Sequence, residues 1–472
     1  MCGEQWGNYR RERGYRLAAE QALVVAVASR PGAGLAAFIA TIAVMLLGHH
    51  LGTAVLPGWS RGCLGECETV AQHRSDHQHG SQEPDEARSH WSEGTMHGES
   101  DITPICRIGA LIEIMGFRLR PAPPSIAEDA ALSTLLLPFA SGALQWPAGN
   151  RVLFLRARAG SDLPVTATEW VCEQSFRPYA DALERAGLRA LPAAGEGTFD
   201  LVLALPPRQR EESRALLARA LQRVAPGGIV VASLLNTEGA RSAEADLASL
   251  AGQVHSLSKN KCRAFWAAAD AAKMDAARIS EWAVLDAPRP IADGRFLSRP
   301  GLFAWDRIDA ASALLASCLP ADLSGRGADL GAGTGYLSAE LLARCPGVVL
   351  LDLYEAEARA LDLARLNLAG NSARAKSVEL AYHWHDVTRG LPTRHDFIVS
   401  NPPFHLGRAD QPDLGRAFIA SAAAALKPRG SLWLVANRHL PYEAALAQGF
   451  TSVRTVKEQD GFKVIEAIKA DA

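Results

Sequence analysis

Toward the C-terminal end of this 472-residue chain, the run Phe397-Ile-Val-Ser400 passes directly into Asn401-Pro-Pro-Phe-His405. A short apolar run bounded by a turn signal predicts a buried strand, and Pro402 and Pro403 stiffen the turn by fixing φ. The Asn401 side-chain oxygen and the Pro402 carbonyl can then be held as two preorganised acceptors. Such a pair suits a planar amine, whether on a purine, a pyrimidine or an amide, and Phe404 is placed to stack on the ring that carries it. His405 reads as a structural histidine rather than a base, because an attacking amine can lose its proton after the bond has formed.

A second motif lies upstream. Gly327-Ala-Asp-Leu330 ends a strand-like run and leads into Gly331-Ala-Gly-Thr-Gly335, after which Tyr336 to Arg344 has helical spacing. Alternate glycines permit a tight strand-to-helix turn with positive φ and leave no Cβ between the backbone and a nucleotide-like ligand. Asp329, Gly331, Gly333 and Gly335 are therefore the expected cofactor loop. Val348-Val-Leu-Leu-Asp352 predicts the next strand, with Asp352 where a doubly wound sheet presents an acid to ribose hydroxyls. A further strand over Glu379–Trp384 ends near Asp386, which either accepts a hydrogen bond from an adenine amine or caps a turn. An amine corner beside such a loop fits transfer of a methyl group from the sulfonium of S-adenosylmethionine (SAM), with no metal required, catalysed mainly by orientation.

The combination of Asp329-Leu-Gly-Ala-Gly-Thr-Gly335, Asn401-Pro-Pro-Phe-His405 and Leu434-Val-Ala-Asn-Arg-His-Leu-Pro-Tyr442 resembles the bacterial ribosomal RNA guanine-N2 methyltransferases, most closely the small-subunit enzymes. The resemblance runs from about Met115 to the C-terminus. It implies SAM as cofactor, ribosomal RNA or a ribosomal subunit as partner, and the 2-amino group of one unstacked guanine as acceptor. It further implies an α/β chain of two tandem Rossmann-like methyltransferase domains: a degenerate one over 115–290 and a catalytic one over 291–472, behind an extension over 1–114. By that resemblance Asp329, Gly331, Gly333 and Gly335 match the cofactor loop, Asp352 the ribose acid, and Asn401, Pro402, Pro403 and Phe404 the acceptor-amine motif. Asp386 departs from a pattern that can carry Asn. Ser258-Lys-Asn-Lys-Cys-Arg263 resembles a basic segment of the family, and Arg408 and Arg438 are either phosphate contacts or solvated surface charge.

The elements that must position these residues follow an alternating pattern. Val152–Leu155, Phe199–Ala204 and Ile229–Ala232 read as strands separated by helical runs, the layout of a parallel sheet covered by helices. The turn after the first of them, Arg156-Ala-Arg-Ala-Gly160, lacks the glycines of the later loop. A connector marked by Pro and Gly, from Ala287 to Gly301, separates the two patterns.

Composition is that of a folded protein, with 48% hydrophobic and 21% charged residues. The formal charge of -2 supplies no whole-chain attraction to nucleic acid, so an RNA partner needs a local basic face. From Pro31 to Ser60 there is no Asp, Glu, Lys or Arg, and Arg10, Arg11, Arg13 and Arg16 precede it, a pattern that also suits a membrane anchor. Gly and Pro interrupt the run, so it reads as translated leader upstream of a start at Met115. A membrane contact is expected only if residues 18–60 are retained, and the setting is otherwise cytoplasmic. Cys63, Cys67 and the histidines that follow match no zinc spacing, and the scattered cysteines fit a reducing compartment. Other functions share some of these features. The Asn-Pro-Pro-aromatic signature also serves large-subunit RNA guanine, DNA adenine-N6 and protein glutamine methylation, and a non-catalytic assembly factor that binds SAM and RNA would use the duplication for surface.

Overall fold

The computed structural model describes residues 129–471 apart from 148, 150, 161–162, 164–168, 372–376, 404, 407–408 and 411. The extension over 1–114, with its apolar run and its Cys/His tract, lies outside the described residues, as do Phe404 and Arg408. Residues 118–472 form one compact unit. Among the described residues no helix is long and apolar enough to cross a membrane.

The first half of that unit runs α1 (Ala130–Ala140), β1 (Arg151–Leu155), β2 (Glu169–Glu173), α2 (Arg177–Arg185), β3 (Ala190–Leu191), β4 (Phe199–Ala204), α3 (Arg210–Arg223), β5 (Val224–Leu235), α4 (Ala240–Ala251), β6 (His255–Lys259), β7 (Cys262–Ala268) and α5 (Ala276–Trp282). Its seven strands lie in the order 3-2-1-4-5-7-6. A short hairpin follows, β8 (Arg289–Ile291) with β9 (Phe296–Ser298), in the stretch expected to be only a connector.

The second half repeats the plan with α6 (Ala310–Cys318), β10 (Ser324–Leu330), α7 (Tyr336–Arg344), β11 (Gly347–Glu355), α8 (Ala358–Asn371), β12 (Glu379–Trp384) and β13 (His395–Ser400). A small hairpin, β14 (His405–Leu406) with β15 (Ala409–Asp410), precedes α9 (Pro412–Ala425), β16 (Leu426–Asn437), α10 (Glu443–Gly449), β17 (Ser452–Gln459) and β18 (Phe462–Ile468). Its seven strands lie in the order 12-11-10-13-16-18-17, the same topology.

The central strands read as near-continuous apolar runs because helices cover both of their faces. In β13, Phe397, Ile398 and Val399 are all buried. One face of the second sheet packs on α6, α7 and α8 through Leu315, Leu341 and Leu361. The other packs on α9 and α10 through Ile419 and Leu446. Strand order reverses between β10 and β13, and at such a switch point the carboxyl ends of neighbouring strands open a crevice. Leu330 and Ser400 are paired there, so the glycine turn and the Asn-Pro-Pro corner leave the sheet side by side.

The two halves meet at the loop after β11. Phe176 and Glu357 form an isolated antiparallel bridge, and Trp384 Nε1 donates to the carbonyls of Ser175 at 2.8 Å and Ala356 at 2.9 Å. Arg359 pairs with Glu212 of the first half at 2.7 Å.

Candidate active site

The glycine turn has the backbone that its composition calls for. Gly331, Gly333 and Gly335 have φ of 73°, 54° and 86°, a region costly for residues with a Cβ. The amides of Gly331 and Ala332 both donate to the Tyr354 carbonyl, at 2.9 and 3.1 Å, which folds the turn over the end of β11. A Cβ on Gly333 would meet open space, whereas one on Gly335 would lie 3.2 Å from Ala364, so Gly335 serves close packing of α7 on α8.

Asp329 lies fully buried beneath the turn. Its Oδ2 accepts from Ser338 Oγ at 2.8 Å, and its Oδ1 has no hydrogen-bond partner among the described residues. Burial pushes this carboxyl up to about 7, and the nearby Glu355 charge adds to the rise while the Ser338 bond opposes it. A buried acceptor left open at the base of a glycine turn is suited to a cationic group of a ligand.

Asp352, expected as the ribose acid, is not at the turn. It sits within β11 opposite Ala328 and Ala381 and is fully buried. Arg326 contacts it at 2.7 and 3.2 Å, His383 Nε2 at 2.8 Å and His395 Nε2 at 3.1 Å. Burial opposes its ionisation, but the bonds from His383, His395 and Arg326 outweigh that and hold the carboxyl well below the usual range. The acid that reaches the glycine turn is Glu355, whose Oε2 accepts from the Gly333 amide at 2.8 Å and whose Oε1 accepts from the Glu357 amide at 2.8 Å. Burial raises its pKa. The expectation placed the strand end too early: β11 continues through Leu353 and Tyr354, and the alternative acid was visible as the last polar residue of Gly347–Glu355.

Asp386 follows β12 and caps a 3-10 turn over Val387–Arg389, its Oδ1 accepting from the Thr388 amide at 3.0 Å and the Thr388 hydroxyl at 2.7 Å. Capping thus occupies one of its oxygens.

At the corner, Pro402 is buried and Asn401 partly buried. The Asn401 carbonyl comes within 3.9 Å of where a Gly331 Cβ would stand, so the corner faces the turn. The Asn401 Nδ2 donates to Asp309 Oδ2 at 2.9 Å and to Ser312 Oγ at 2.8 Å, both at the start of α6. Asp309 and Ser312 were missed from sequence; their signal was an N-cap Asp followed three residues later by Ser, before an apolar helix. Ser400 Oγ donates to the Leu330 carbonyl at 2.8 Å and ties the corner to β10.

Matching registers identify the counterparts of these positions in the first half. Leu155 pairs with Glu173 and Ala204, as Leu330 pairs with Tyr354 and Ser400. Arg156 therefore stands for Gly331, Gln174 for Glu355, and Leu205-Pro206-Pro207 for Asn401-Pro402-Pro403. Arg156 keeps the positive φ, 54°, but carries a guanidinium that pairs with Glu212 at 3.1 Å. The acid has become an amide and the acceptor Asn an apolar Leu.

Comparison with known proteins gives a consistent picture. Residues 293–466 match the model of the methyltransferase small domain. The ribosomal RNA small subunit methyltransferase C of Psychromonas ingrahamii is 30% identical over 276 residues, which cover 58% of this chain and 77% of that protein. The protein of the same name from Pseudomonas aeruginosa is 37% identical over 180 residues, 38% of this chain and 52% of that one. Among solved structures, the T. Thermophilus 16S rRNA N2 G1207 methyltransferase in complex with AdoMet and guanosine superposes with a TM-score of 0.60 at 25% identity, covering 73% of this chain and 92% of that one.

Proposed function

The chain belongs to the family of ribosomal RNA small subunit methyltransferase C, and from that premise we propose that it methylates the exocyclic 2-amino group of a guanine in small-subunit ribosomal RNA, using SAM. The observation that carries the reading is the Asn401 corner opening beside the Gly331 turn at the strand-order switch of the second sheet.

The residues at the turn fit SAM: an open acceptor on buried Asp329, a Gly333 without a neighbour where its Cβ would be, and the Glu355 carboxylate at the strand end. Glu355 would take the ribose hydroxyls, Asp329 the positively charged end of the cofactor, and Asp386, through its other oxygen, the adenine amine. Held there, SAM would supply an electrophilic methyl group on its sulfonium, with the neutral thioether as the leaving group that keeps the electrons of the broken carbon–sulfur bond. The Asn401 Oδ1 and the Pro402 carbonyl accept the two amine hydrogens of guanine and aim the nitrogen lone pair at the methyl carbon. The new carbon–nitrogen bond leaves that nitrogen cationic, and the proton it then sheds passes to solvent. Phe404 would stack on the base. The guanine must leave its stack to reach the corner, so the substrate is an exposed or partly assembled RNA.

The second half, over 291–472, is the catalytic one in this reading, and the half before it is a degenerate copy that has lost the glycine, the acid and the acceptor amide. The buried thiols of Cys172 and Cys262, which are not in disulfides, suit a reducing cytoplasm.

The reading is tested by labelled methyl transfer to ribosomal subunits from cells that lack the protein. The expected product is N2-methylguanosine in small-subunit RNA. Label in large-subunit RNA, in N6-methyladenosine or in protein would move the substrate elsewhere, and SAM binding with no turnover would favour an assembly factor.

A pH dependence also follows. With Asp329 raised to about 7, its carboxyl is protonated below that pH, and a cationic ligand must displace the proton. SAM affinity should rise by up to about tenfold for each pH unit approaching 7 from below and level off above it. Titration calorimetry from pH 5.5 to 8.5 checks this, and Asp329→Asn should flatten the profile; an unchanged slope in that variant assigns the titration to another group.

A further inference from the structure

We propose that Asp309, assisted by Ser312, is a positioning residue that decides which end of the Asn401 amide meets the substrate, a role that rests on the acceptor-corner reading above. Asp309 is the N-cap of α6, and its Oδ2 accepts from the Ser312 amide at 2.8 Å and from Asn401 Nδ2 at 2.9 Å. Ser312 Oγ lies 2.8 Å from the same Nδ2. An ionised carboxylate has no hydrogen to give, so it admits only the NH2 end of an amide. Both Asn401 amide hydrogens are thereby committed to α6. Oδ1, a pure acceptor, is what remains for a substrate amine.

Without that constraint the amide can turn over about its last torsion and present NH2 to NH2, two donors face to face. The Asp309 charge has a second consequence. It draws the amide dipole toward itself and strengthens Oδ1 as an acceptor at the moment when the substrate nitrogen becomes cationic.

The duplicated half supplies an internal comparison. Helix α1 packs on β5, β6 and β7 as α6 packs on β16, β17 and β18, and it also begins with an Asp N-cap, Asp129. Leu205 stands where Asn401 would be and offers no amide, and the Asp129 carboxylate turns instead to Arg158 at 2.6 Å. The capping acid is common to both halves. Only the half with the acceptor amide aims it at that amide.

The experiment is a double-mutant cycle on the full chain with SAM and small subunits, reading kcat, KM and SAM affinity. Asp309→Ala should lower kcat about a hundredfold with SAM affinity unchanged. Combined with Asn401→Ala it should cost nothing beyond Asn401→Ala alone, because the two residues act as one unit. Reversing the pair supplies a second arm that keeps the cap acceptor: Asn401→Asp alone sets two carboxylates against each other, and adding Asp309→Asn should restore at least about tenfold of the lost rate. Asp309→Ala close to wild-type kcat, multiplicative losses in the cycle, or no recovery in the exchanged pair would each overturn the assignment. If Asp309→Ala does not fold, by thermal melt and SAM binding, the exchanged pair decides. Turnover surviving in Asn401→Ala would instead refute the acceptor corner itself, so the two failures are distinguishable.

Discussion

Replacing Asn401 with alanine is expected to lower methyl transfer by about a hundredfold to a thousandfold, the usual consequence of removing one preorganised polar group from a reacting centre. SAM affinity should stay essentially unchanged, because among the described residues the side-chain hydrogen bonds of Asn401 go to Asp309 and Ser312 and not to the Gly333–Glu355 side of the turn. The variant loses the acceptor and also strands Asp309, whose Oδ2 keeps only the Ser312 amide. A modest loss of stability is therefore expected on the melt, and it leaves the kinetic conclusion intact provided SAM still binds. Rapid-quench single-turnover assays beside calorimetric SAM binding separate the two effects. Residual turnover near wild type would remove Asn401 from the mechanism.

The second large effect concerns two acids three residues apart on one strand. Asp352→Ala should cost about 3–5 kcal/mol of stability, because it leaves Arg326 and the fully buried His395 with an uncompensated site. Glu355→Ala should scarcely move the urea midpoint but weaken SAM binding about tenfold to a hundredfold through loss of charged hydrogen bonds. The pH dependence has a defined sign. Asp352 is held well below the ordinary carboxylate range when folded, so its contribution is present above the unfolded pKa and is lost as pH falls through the acid range. Acid melts of Asp352→Ala should therefore be flatter than those of the native chain. If Asp352→Ala weakens SAM binding at an unaltered urea midpoint, Asp352 and not Glu355 is the cofactor acid.

The contrast between these two acids explains what could and could not be read from residues alone. The expected strand Val348–Asp352 has the right place and the wrong end. Apolar alternation signals that a strand exists, but its last residue depends on how far the neighbouring strand pairs with it, and Leu330 pairs with Tyr354. The acid expected from its position in the chain, Asp352, stands three residues before Glu355, the acid that meets the turn. Burial and partners, which are long-range properties, chose between them.

Helix α6 makes the same point in the opposite direction. Asp309, missed from sequence, carries only a local cap signal, and nothing local joins it to Asn401, 92 residues away. The connection exists because α6 packs on β16, β17 and β18, which brings its first turn to the corner that follows β13. The first half was legible as wound without a glycine loop, yet its Leu-Pro-Pro counterpart to the Asn-Pro-Pro corner emerges only from the matching registers of two sheets.

What the amino-acid order determined by itself is whatever short-range stereochemistry controls: the positive-φ glycine turn, the proline-braced corner, the alternation of strands and helices, and the residue types able to hold an amine and a nucleotide. Tertiary structure alone decided which carboxylate meets the turn, which is locked beneath two histidines and an arginine, and which end of the Asn401 amide is left facing outward. Those choices belong to the fold because electrostatic and hydrogen-bond partners are selected by distance in space, and the register of a parallel sheet brings together residues that the chain keeps far apart.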